Sequence, residues 1–259
     1  MEDAIGAPAI PKLFEIGHPL KPSDPGLFKG RNDTLNKIKS SFYGGVQRER
    51  YFLDGIRRAG KTSILNFLPS HLPDTVVPIP VSVEKFSLRG AVDSADVLRQ
   101  LCELVNESFA KRTGTNLPLT DAAGFKEAPA RVFGKFLNEC RNCLPGHIPF
   151  LKFDEFQDLL KAIARTRSPK DRDTVVLDAL RVYLEEGSVY AVFTGSVRFD
   201  RLSEILEHRI FLALLPGCGY HSSPQKVLRM FSVPGLNNGG YSCQKQSRKS
   251  VNSPAATHG

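Results

Sequence analysis

Apolar positions along this chain follow two rhythms. Short, largely apolar runs occur at Tyr51–Asp54, Thr75–Val83, His147–Phe153 and Ser188–Phe193. Runs of that length, rich in β-branched and aromatic residues, predict buried strands. Between them, apolar residues recur every three to four positions, which predicts helices. Leu35, Ile38 and Phe42 mark one over 34–42, with Asn32 or Asp33 as its cap. Others are expected over 61–69, 91–109, 130–143, from 154–158 to Ala164, over 173–185 and over 199–206. Pro78 and Pro80 put the second strand at a sheet edge or on a bulge. Residues 111–130 read as a loose polar connection, and 165–170 as a basic turn. Strands alternating with helices predict an α/β fold: a parallel sheet flanked by helices. Two ends break the pattern. Residues 1–27 carry Pro8, Pro11, Pro19, Pro22 and Pro25 and read as an extended arm. Residues 216–259 lose periodicity to Gly, Ser, Asn and Gln and read as a disordered tail beyond a core spanning 28–215.

The junction after the first strand carries the sharpest chemistry. Gly55-Ile56-Arg57-Arg58-Ala59-Gly60-Lys61-Thr62, continued by Ser63, fits G-x-x-x-x-G-K-[ST] between a strand and a helix. Gly55 and Gly60 are expected to supply backbone angles closed to other residues, so that the loop's N–H groups turn inward around a phosphate chain. The helix start adds the positive end of its dipole. Lys61 would reach the β- and γ-phosphates, and the Thr62 hydroxyl would ligate Mg²⁺. The strand at 147–153 ends in Asp154-Glu155. In an open parallel sheet such a strand end faces the ligand crevice. Asp154 would hold Mg²⁺ opposite Thr62, and Glu155 would act as general base toward water. A third strand ends in Thr194-Gly195-Ser196, whose hydroxyls qualify as sensors of the γ-phosphate or the water. Each motif has a plainer reading: a glycine turn, an acidic first helical turn, a Ser196 helix cap. Their order along one chain favours ATP and Mg²⁺, with Lys61, Glu155, Thr194 and Ser196 as catalytic candidates. No Asn-Lys-x-Asp tetrapeptide is present, which favours adenine over guanine.

Composition changes this picture little. The 259 residues are 41% hydrophobic and 24% charged, ordinary for a globular chain. The net charge of +8 suggests nucleic acid at first sight. Five of those charges, Lys226, Arg229, Lys245, Arg248 and Lys249, lie in 210–259, where no Asp or Glu occurs. The charge is therefore weak support for a nucleic-acid partner. No run of 18 apolar residues exists and the N-terminus lacks a signal pattern, so no membrane segment and a cytoplasmic location are expected. Cys102, Cys140, Cys143, Cys218 and Cys243 are odd in number. The lone Cys140-x-x-Cys143 lacks a second pair, so free thiols are expected rather than a disulfide framework or a zinc site.

Taken together, Phe28-x-Gly30-Arg31, the 55–63 loop, Asp154-Glu155-Phe156 and Thr194-Gly195-Ser196 resemble the archaeal-type and STAND-like branch of AAA-related P-loop ATPases. The resemblance covers roughly residues 16–206. It implies an additional-strand, AAA-like sheet and places Gly30 and Arg31 close to the nucleotide. It also implies a nucleotide-driven switch or AAA-type motor core, with further copies of the chain in a homo-oligomer or an effector protein as partner. This family continues past the sensor strand into a helical lid or winged-helix module, which is not visible here. The resemblance therefore implies a chain truncated or altered at its C-terminus, and it leaves Arg201 and Arg209 as the nearby arginine-finger candidates. Two rivals stay open: an ATP-holding fragment with little turnover, and a DNA-associated, initiator-like ATPase.

Overall fold

A computed structural model describes residues 18–43, 50–86, 92–117, 122–165, 171–196 and 226–229. The helix expected over 199–206, Arg201, Arg209, Cys218 and Cys243 lie outside these residues, as does most of the basic turn after Arg165.

Five parallel strands form one sheet in the order β2-β3-β4-β1-β5. They are β1 (Tyr51–Asp54), β2 (Val76–Ser82), β3 (Ile148–Asp154), β4 (Tyr190–Gly195) and β5 (Lys226–Arg229). The helices are α1 (Asn32–Tyr43), α2 (Lys61–Phe67), α3 (Ser94–Thr113), α4 (Ala122–Glu127), α5 (Pro129–Cys143), α6 (Gln157–Ala164) and α7 (Val175–Glu185). Parallel neighbours need crossovers, and the helices between strands provide them. The edge reading of 75–83 is correct in place. β2 is an outer strand and pairs with β3 without interruption from Val76↔Ile148 to Ser82↔Asp154. At an edge, Pro78 and Pro80 can leave their missing donors on the unpaired side.

Side chains alternate across the sheet and build two cores. Phe52, Leu151, Phe153, Ala191 and Phe193 face the layer of α3, α5, α6 and α7. Tyr51, Leu53, Phe150 and Val192 face α1 and α2. On the first face Phe52 stacks on Phe193 at 5.1 Å and Phe193 on Phe153 at 5.1 Å. This ladder of rings runs across β1, β4 and β3 and fixes the mutual register of the strand ends that bear the motifs. Between α3 and α7, the Ser94 hydroxyl accepts from the Val176 N–H at 2.9 Å, and Asp173 accepts from the Ser94 N–H at 2.7 Å.

Three expectations need correction. Residues 18–27 are not a free extended arm. They turn twice (Leu27 N–H to the Asp24 carbonyl, 3.1 Å; Asp24 N–H to the Lys21 carbonyl, 2.9 Å). They then dock on α2: the Leu20 N–H donates to Ser63 Oγ at 3.0 Å, and Asn66 Nδ2 donates to the Leu20 carbonyl at 2.9 Å. Phe28 stacks on Phe67 at 4.2 Å. Secondly, the 111–130 connection is partly helical. α3 continues to Thr113, where Gly114 closes it at φ 73°, and α4 is held by the buried Phe125. Thirdly, Lys226–Arg229, placed in the tail by composition, pairs with β1 from Tyr51↔Lys226 to Asp54↔Arg229. The remainder of 216–259 is outside the described residues.

Helices α5 and α7 cross at Gly134. A Cβ there would stand 1.9 Å from the Tyr183 hydroxyl oxygen and 2.5 Å from the ring carbon that bears it. That hydroxyl donates to the Ala130 carbonyl at 2.9 Å. Alanine normally stabilises a helix interior relative to glycine by about 0.5–1 kcal/mol. Here overpacking should win, and Gly134→Ala should cost about 1–3 kcal/mol. Thermal melts should show a lowered Tm, recovered when Tyr183→Leu is added; a raised Tm in the single variant would refute the contact.

No helix among the described residues is long and apolar enough to cross a membrane. Cys102 and Cys140 are buried free thiols and Cys143 is an exposed one. Burial pushes the Cys140 thiol up to about 12. No group of three metal-ligating His, Cys, Asp or Glu side chains occurs among the described residues.

Candidate functional site

The loop between β1 and α2 turns on two left-handed residues, Arg58 (φ 63°) and Gly60 (φ 84°). Gly60 needs its missing Cβ for this, and its carbonyl receives the Ile64 N–H at 3.0 Å to start α2. Gly55, expected to share the role, is not left-handed; Arg58 bears the second strained angle instead. Ala59 N–H closes the turn on the Ile56 carbonyl at 3.3 Å. Lys61 is only 4% exposed. Its Nζ donates to the Gly55 carbonyl at 2.8 Å and the Ile56 carbonyl at 2.9 Å. Burial lowers the Lys61 pKa, against the opposing pull of the Glu155, Asp154 and Asp54 carboxylates.

One carboxylate gathers three motifs. Asp154, at the end of β3, accepts from Thr62 Oγ1 at 2.9 Å through Oδ2. Through Oδ1 it accepts from Thr194 Oγ1 at 2.7 Å. Thr194 is fully buried, and its hydroxyl also accepts the Glu155 N–H at 3.2 Å. Its single proton thus points to Asp154. The strand order explains the meeting: β4 lies between β1 and β3, so Thr194 stands between the 55–63 loop and the acidic strand end.

Glu155 is left-handed (φ 54°), unusual for a residue with a side chain. Its carboxylate accepts from Gln157 Nε2 and lies 3.4 Å from the donating Ser196 hydroxyl. Gln157 is 2% exposed and reaches Ser196 twice. Its Nε2 donates to Ser196 Oγ at 3.2 Å, and its Oε1 accepts the Ser196 N–H at 3.1 Å. Sequence reasoning gave Gln157 no role. Its place two residues after the acidic pair was the available signal.

A cleft of about 680 Å³ opens above this cluster, lined by the loop from Arg57 to Ser63, by Glu155, and by His18 and Pro19. The last two were also missed, because residues 1–27 were read only as an extended arm. Gly30 (φ 75°) and Arg31 do not line the cleft. Arg31 Nη2 donates to the Ala59 carbonyl at 3.2 Å, so its reach is to the loop backbone. The donor set suits a hard divalent cation: a threonine hydroxyl and an aspartate carboxylate already within 2.9 Å, with a lysine ammonium buried close by.

No protein-family model and no curated protein matches the sequence. Solved structures do. A Walker-type ATPase of Pyrococcus abyssi superposes with a TM-score of 0.56 at 18% identity, over 84% of this chain and 57% of that one. The ORC2 protein of Aeropyrum pernix in its ADP form gives a TM-score of 0.45 at 13% identity, over 84% and 51%. The chain thus spans little more than half the length of these structures. Its five-stranded parallel sheet and helical layers share the fold of that Walker-type ATPase.

Proposed function

We propose that this chain binds ATP and hydrolyses it with Mg²⁺, as a nucleotide-driven switch. The observation that carries the reading is the Asp154 carboxylate bonded to both Thr62 and Thr194 at the foot of a loop-lined cleft. The loop's N–H groups and the Lys61 ammonium would hold the phosphates, Lys61 exchanging its two carbonyl acceptors for phosphate oxygens. Thr62 and Asp154 would hold the cation, which when bound neutralises charge on the β- and γ-oxygens. Glu155 would take a proton from the attacking water. Gln157 and Ser196 fix the Glu155 carboxylate, so Ser196 is the better-placed of the two sensor hydroxyls. Thr194 orients Asp154. His18 and Pro19, on the cleft wall, would meet the nucleoside part.

Steady-state phosphate release with ATP and Mg²⁺ tests the reading. Release that stops on adding EDTA is expected. ATP binding without release would overturn hydrolysis and leave an ATP-holding module, a reading favoured by the way Glu155 is already held by its neighbours. The absence of both would overturn the whole proposal.

A further inference from the structure

Lys152 lies in the middle of β3, only 8% exposed. A charged amine in that position is costly unless it is satisfied. Its Nζ donates to the Leu65 carbonyl of α2 at 2.9 Å. Alternation puts Phe150, Lys152 and Asp154 on the same face of β3, toward α1 and α2. On the helix, Thr62 and Leu65 are about one turn apart. Two struts therefore join α2 to β3: Thr62 to Asp154 at 2.9 Å, and Leu65 to Lys152 at 2.9 Å. α2 has seven residues, too few to hold its own geometry in isolation. Leu65 is in its last turn, where carbonyls lack intrahelical donors and favour a cation.

The two struts differ in what they touch. The Thr62–Asp154 bond joins the two side chains that the proposed cation would engage. Thr62 would offer the cation its hydroxyl oxygen, and Asp154 its carboxylate. The Lys152–Leu65 bond involves no group that lines the cleft. We infer that Lys152 is a positioning residue, which keeps α2 seated on β3 so that Thr62 and Asp154 stay at a separation fit for a shared divalent cation. This rests on the nucleotide-and-cation reading above.

The test measures affinity for N-methylanthraniloyl-ATP by fluorescence on the full chain, in EDTA and across a Mg²⁺ titration, without any need for turnover. The gain in nucleotide affinity on adding Mg²⁺ is the quantity of interest. Lys152→Met should bind the analogue in EDTA as the parent does, with the Mg²⁺ gain cut about tenfold. Lys152→Arg keeps the charge but moves the donor. It should melt near the parent temperature and still lose part of the gain, which keeps the test valid if the methionine variant does not fold. A full gain in either folded variant would overturn the inference. So would an equal loss of affinity with and without Mg²⁺, which would mean a purely structural lysine. Failure of the parent chain itself to bind the analogue would overturn the nucleotide reading, a result distinct from either of these.

Discussion

Lys61→Ala should abolish measurable ATP binding. The ammonium is the cation buried in the loop, and each charge-assisted hydrogen bond it makes to phosphate is worth about 1.5–3 kcal/mol. Loss of two such bonds corresponds to about a hundredfold or more in affinity. Lys61 also ties the Gly55 and Ile56 carbonyls, so the loop itself loosens in the variant. Lys61→Met preserves most of the side-chain volume and separates packing from charge. Equilibrium titration of both variants should show the same loss while thermal melts show a smaller change for methionine. An alanine variant with unaltered ATP affinity would defeat the assignment of the loop.

Glu155→Gln should leave ATP binding intact and slow hydrolysis by about 10²–10⁴-fold. The amide keeps the shape and can still pair with Gln157 and Ser196, but it cannot take a proton from water. The backbone at 155 keeps its left-handed turn with a side chain of the same length. Single-turnover kinetics with ATP already bound would isolate the chemical step. Binding lost in parallel with turnover would instead make Glu155 part of the nucleotide-holding surface.

The sequence showed some parts of this site and concealed others for physical reasons. The 55–63 loop was legible because its chemistry is contiguous: a phosphate cradle is built by neighbouring backbone groups. The Asp154-Glu155 strand end was legible for the same reason. The insertion of β4 between β1 and β3 was not, since apolar runs do not encode strand order. That insertion alone decides that Thr194 reaches Asp154. Gln157 and Lys152 look like ordinary polar residues in a string. Their importance comes from burial and from partners 39 and 87 residues away. The leading segment misled because proline-rich composition predicts turns but is silent on docking. α4 escaped notice because six residues containing Gly124 carry no periodicity. β5 escaped because four residues sit in a stretch of turn-forming composition.

The clasp of Leu20 on Ser63 and Asn66 makes a mechanical linkage of the chain's first segment. Ser63 is the immediate neighbour of Thr62, so the two bonds that seat Leu20 also brace the start of α2 from outside the sheet, at the residue next to the one that meets Asp154.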